Sequence, residues 1–119
     1  MSPLARDAGV ARGLRTIEWL KAELLAAVGD LFRGMLRGAD DLVLDSLAHI
    51  VLVAYLLARR LGYSYTRLDL KVADQVRRHL DAGHEVERWY GDLSALSRHF
   101  RDSRREARVG LAEQEGSSL

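Results

Sequence analysis

Carboxylates and one imidazole recur on two neighbouring stretches of the chain, at spacings that a helix gathers onto a single flank. Glu23 and Asp30 are seven residues apart, which returns to nearly the same side of an α-helix, and Ala27 and Gly34 keep the intervening positions small. Downstream, Asp41, Asp45 and His49 follow one another at intervals of four and make a second stripe. If the two stretches are antiparallel helices joined at Gly38, Asp30 lies opposite Ser46 and beside Asp45, Ala27 opposite His49, and Glu23 opposite Val53. Glu23 and Asp30 are then roughly 10 Å apart, too far for one ion but suited to the two ends of a phosphate-and-metal site. Carboxylates converging from two helices suit a hard cation such as Mg²⁺, which takes oxygen ligands and needs its charge compensated in a partly dry groove. Glu23, Asp30, Asp45 and His49 are therefore the candidate metal ligands. The geometry permits such a site without demanding one, and the competing reading of His49 is a core imidazole hydrogen-bonded to a neighbouring acid such as Asp45.

Other chemistries find no support in the residues. The chain has no glycine-rich phosphate loop, no local Ser/His/Asp signature and no pair of histidines at zincin spacing. Cysteine is absent, which removes disulfides, thiolate metal sites and cysteine nucleophiles together, and suits a reducing compartment. Eighteen Lys and Arg against seventeen Asp and Glu leave a formal charge of +1, so any anionic partner must be met by a local patch. The one basic patch, Arg98 to Arg108, is diluted by Asp102 and Glu106 at spacings that fit intrahelical pairing, so it reads as a solvated helix and not as a nucleic-acid contact.

The elements that must position these groups read as all-α. Of 119 residues, 48% are hydrophobic and the one proline stands at position 3, so a single helical domain is expected. Ile17, Leu20, Leu24, Val28, Leu31 and Met35 lay a stripe along a first helix from Leu14 to Leu36. Asp40 is the expected N-cap of a second, running from about Asp41 to Arg60 and stopping at Gly62. This second helix is apolar on every side between Ile50 and Ala58, so further helices are expected to surround it. Its uncharged run, Ser46 to Ala58, falls short of the roughly 20 residues that a membrane-spanning helix needs, so it reads as a core helix.

A third helix is expected from Thr66 to about Leu80, capped by Thr66 or Ser64, with Leu68, Val72, Val76 and Leu80 along one side. After a break at Asp81-Ala82-Gly83, a fourth stripe runs through Val86, Trp89 or Tyr90, Leu93, Leu96 and Phe100. Residues 1–12 read as an N-terminal arm, 13–109 as one helical domain and 110–119 as a disordered tail. With no secretory signal in view, the chain is expected to be cytoplasmic and of bacterial type. The apolar surplus of the first two helices predicts a homodimer or homotetramer.

The segment Ile17-Glu18-Trp19-Leu20-Lys21-Ala22-Glu23-Leu24-Leu25, the Gly-Ala-Asp-Asp turn at 38–41, Asp45 through Gly62, and the later stretch from His84 to Ser94 together resemble the short MazG-like proteins. These are distant relatives of the all-α nucleoside triphosphate pyrophosphohydrolases, and the resemblance runs from roughly Leu14 to Phe100. It implies a four- to five-helix bundle. Catalytic members of the wider superfamily carry Glu-Glu-x-x-Glu on one helix and Glu-x-x-Asp on the next, holding Mg²⁺ ions that steer water onto the α-phosphate. On this chain the first motif retains only Glu23. The second falls on Ser46-Leu47-Ala48-His49, where neither carboxylate is kept and His49 stands at the aspartate position. Asp30 and Asp45 could shift in as ligands, and His49 would then favour Mn²⁺ or another imidazole-tolerant ion. The resemblance also implies a nucleotide partner; Trp19 could then stack on a base and Lys21 contact a phosphate, the competing and commoner role of an aromatic on an amphipathic helix being packing. Two functions follow: metal-dependent hydrolysis of a nucleoside triphosphate to monophosphate and pyrophosphate, or a non-catalytic helical interaction or regulatory protein that has lost the metal site.

Overall fold

The computed structural model describes residues 3–117, with side-chain environments for residues 8–114. Five helices follow one another: α1 Pro3–Arg37, α2 Asp40–Arg60, α3 Tyr65–Asp81, α4 Glu85–Tyr90 and α5 Asp92–Ser117. No strand occurs among the described residues, so the all-α expectation holds. The chain divides into two compact units, Met1–Leu68 and Asp69–Leu119, with the boundary inside α3.

The first unit is a helical hairpin closed by the start of α3. Its seam on α1 is Leu20, Ala27 and Gly34, spaced seven apart, and on α2 it is Ser46 and Val53, also seven apart. Both stripes return to one side of their helix at that interval, and burying them accounts for much of what holds the pair together. Small residues at Ala27, Gly34 and Ser46 let the backbones approach closely. A Cβ on Gly34 would stand 3.2 Å from the backbone nitrogen of Val43 and 3.1 Å from its Cγ2. Between α1 and α2, Gly38 takes a φ of 65°, and the Ala39 amide donates to the Gly34 carbonyl at 2.9 Å, which ends α1. Ala39, not Asp40, occupies the N-cap of α2, and no side chain caps that end. Asp40 and Asp41 instead fill the first turn, where carboxylates favour the positive end of the helix dipole.

At the other end of α2, Gly62 adopts a φ of 97° while the amides of Gly62 and Tyr63 return to the carbonyls of Arg59 and Ala58. The Ser64 hydroxyl then accepts from the Arg67 amide at 3.0 Å, capping α3 as the sequence predicts. Tyr55 and Tyr65 meet edge to face at 5.9 Å, and Arg59 lies over the Tyr65 ring at 5.5 Å, pinning this turn.

α2 is not enclosed as its apolar composition led one to expect. Leu44, Leu47, Val51 and Leu52 are exposed. The helix is long and apolar enough to cross a membrane by length and composition, and only 17% of that window is buried.

In the second unit α3 buries Val76, with Val72 and Leu80 half-buried on the same side. The stripe expected to be one continuous fourth helix is broken at Gly91, whose φ of 67° ends α4 and lets α5 begin at Asp92. Glu87 bridges the break: its carboxylate accepts from the Ser94 amide at 3.0 Å and from the Ser94 hydroxyl, covering amides left open at the start of α5. The Ser94 hydroxyl and amide hold the Glu87 carboxyl below the ordinary glutamate range. Helix α1 begins at Pro3, a residue suited to a first turn, and α5 continues to Ser117. Both helices thus run through segments expected to be an arm and a tail, because Ala, Leu, Arg, Glu and Gln in those segments are strong helix formers.

Candidate functional site

One flank of the α1–α2 hairpin carries the acids and the imidazole. Contacts that pair Gly34 with Val43 near the turn and Glu23 with His49 farther along run in opposite directions in the two helices, so α1 and α2 are antiparallel. Ala27, Asp30, Leu42, Asp45, Ser46 and His49 line an open groove of about 270 Å³ on this flank. The neighbourhood predicted from spacing alone, Asp30 by Ser46 and Asp45 and Ala27 by His49, is therefore present. Ser46, only 5% exposed, sits in the floor as a small polar residue of the helix seam.

Glu23 reaches along the groove to His49, its Oε2 lying 3.0 Å from the imidazole Nε2. His49 is accordingly held by Glu23 across the hairpin, where Asp45 on its own helix was the expected acid. Both side chains are about two-fifths exposed, at 41% for His49 and 36% for Glu23. Asp30 is engaged by Arg33 one turn along α1, with Nη2 to Oδ1 at 2.5 Å. That ion pair is signalled by the three-residue spacing, which the reading by spacing passed over in favour of the seven-residue repeat. Asp45 is exposed at the groove edge.

Of the two residues expected to contact a nucleotide, Trp19 is 59% exposed. It lies one turn before Glu23 on the same flank. Lys21 pairs with Glu18 at 2.8 Å. Two residues from Glu23, it is turned by about 200° to the opposite flank, so the hairpin does not bring it to the groove.

The fit of this donor set to a divalent cation follows from these contacts. Among the described residues, no three His, Asp or Glu side chains stand close enough to hold a metal ion together. Glu23 and His49 face each other, and Asp30 is drawn to a guanidinium. Mg²⁺ requires near-octahedral oxygen coordination from converging ligands. The arrangement does not provide that coordination.

The arginine-rich stretch of α5 has its own setting. Arg101 and Arg104 join Arg77 around a cavity of about 400 Å³ in the second unit, floored by Val76 and Phe100. Arg77 and Arg78 both pair with Asp74 at 3.4 Å.

Compared with known protein families, the chain matches the model of the MazG-like family over residues 10–93. No curated protein and no solved structure matches it.

Proposed function

This chain belongs to the MazG-like family, whose fold is related to the nucleoside triphosphate pyrophosphohydrolases, and from that premise we propose that it is a non-hydrolysing member acting as a helical interaction or regulatory protein. The observation that carries this reading is the hydrogen bond between Glu23 and His49. The one glutamate retained from the family's first motif is committed to an imidazole that replaces the aspartate of the second. The imidazole competes with a cation for one oxygen of this carboxylate, and phosphate chemistry on a triphosphate needs several such charges in place, of which the family's two motifs here retain one. Purified protein is expected to release no pyrophosphate from canonical, deoxy or oxidised nucleoside triphosphates with either Mg²⁺ or Mn²⁺. Pyrophosphate release that disappears in a Glu23→Ala variant would overturn this reading.

A second reading is favoured by a separate observation: Asp30, Asp45 and His49 border one groove, with Glu23 touching His49. In that reading Glu23, Asp30, Asp45 and His49 would have to shift together to hold Mg²⁺ or Mn²⁺, which would compensate phosphate charge when bound, and Trp19 would meet the base. The same pyrophosphate assay separates the two.

A further inference from the structure

The second unit holds a cavity whose charges are unbalanced. Arg77 of α3 and Arg101 and Arg104 of α5 border about 400 Å³ of open space, Val76 and Phe100 lie on its floor, and no carboxylate lines it. On α5, Phe100, Arg101 and Arg104 share one side of the helix through spacings of three and four. Asp102 and Glu106, the acids that dilute this arginine-rich stretch in the sequence, fall about 150° or more around the helix from that side. Among the described residues, no ion pair reaches Arg101 or Arg104. Asp74 pairs with Arg77, but its single charge is shared with Arg78, at 3.4 Å from each. At least two positive charges therefore border the cavity without a carboxylate partner. Like charges gathered beside an apolar floor repel one another, and an anion seated among them relieves that repulsion.

We propose that this cavity binds a phosphate monoester carried on a small apolar body, the guanidiniums of Arg77, Arg101 and Arg104 meeting the phosphate oxygens while Val76 and Phe100 pack against the body. A phosphate monoester brings roughly two negative charges and three acceptor oxygens at neutral pH, which matches two unpaired guanidiniums and a third shared with Asp74. Each guanidinium offers parallel N–H donors in a fixed plane, a geometry suited to phosphate, and Ser97 adds a hydroxyl to the lining. A carboxylate brings one charge and leaves another unmet. Val76 and Phe100 have nothing with which to pair the polar edge of a nucleobase, so a ring or short alkyl chain is the better fit to the floor. A nucleic-acid strand is the poorer occupant. Its phosphodiesters carry one charge each and are met by cations strung along a surface, whereas arginines from two helices here converge on one cavity. The proposal uses no residue of the acidic groove, so its failure and that of the functional reading are told apart by separate measurements.

Isothermal titration calorimetry of the full chain with phenyl phosphate, at neutral pH and low salt, tests it. One site per chain is expected, with phenyl phosphate bound at least about tenfold more tightly than inorganic phosphate, phenyl sulfate or adenosine monophosphate. Arg101→Gln and Arg104→Gln should each weaken that binding at least about tenfold, the loss expected of a charge-assisted hydrogen bond, with helical circular dichroism as the check on folding. Arg98→Gln removes the same charge about 110° around α5 from the cavity side and should leave the affinity within about twofold. No heat of binding up to millimolar phenyl phosphate, equal affinity for inorganic phosphate, tighter binding of adenosine monophosphate, or an equal loss in Arg98→Gln would each overturn it. So would tighter binding of a thymidine oligonucleotide that all three variants weaken alike.

Discussion

At the scale of single residues, the Glu23–His49 contact decides how the groove is read. Each partner is about two-fifths exposed, so the pair is screened and its coupling in a double-mutant cycle should fall within about 1 kcal/mol. Losing it should leave the protein folded, which makes Glu23→Ala a usable probe of function. Glu87 offers a second residue-level test. Its carboxyl is held below the ordinary glutamate range by the Ser94 hydroxyl and amide, so the ionised form stabilises the junction of α4 and α5 above that range. This contribution is lost as pH falls through the depressed value, when the protonated carboxyl accepts less well. Protection of the Ser94 amide from hydrogen exchange should therefore fall on acidification, relative to neighbouring amides of α5, and Glu87→Gln should show the lower protection already at neutral pH. Spacing placed Asp30, Asp45, Ser46 and His49 in one neighbourhood because helical periodicity and a short antiparallel turn fix where Cα atoms lie. It missed the partner of Glu23, since the reach of a flexible side chain along the groove is a matter of rotamer, which periodicity does not carry.

At the scale of elements, apolar stripes and glycine stops were the legible features. The stripe from Ile17 to Leu31, the stop at Gly62 and the Ser64 cap all appear where expected, whereas Met35, the stripe's expected last member, is exposed. The break at Gly91 was hidden, because Trp89, Leu93, Leu96 and Phe100 keep helical spacing across it. A left-handed glycine ends α4 whatever the periodicity. Gly34 was read as a small residue beside the acids, and its larger role is the close approach of α1 to α2. Adding a branched side chain there would drive atoms into the Val43 backbone. Gly34→Val should cost about 1–3 kcal/mol of stability, read as a lower denaturant midpoint with the slope unchanged.

For the whole molecule, the hairpin carries an acidic groove on one flank, while Phe32 and Leu36 of α1 and Leu44 and Val51 of α2 are exposed. The surplus of apolar residues pointed to self-association from composition alone. Length alone leads to one domain; within the fold, burial concentrates at Leu20, Ala27, Val53 and Ala58 in the first unit and leaves Val76 as the one buried apolar side chain described in the second. The claim about the groove is tested most directly by titrating Mn²⁺ into the full chain and following the electron paramagnetic resonance of the free ion. The wild type should leave that signal unchanged through the micromolar range, and His49→Asp, which restores a carboxylate at the aspartate position and releases Glu23, should quench it. Stoichiometric quenching by the wild type, abolished in Glu23→Ala, would contradict the non-hydrolysing reading.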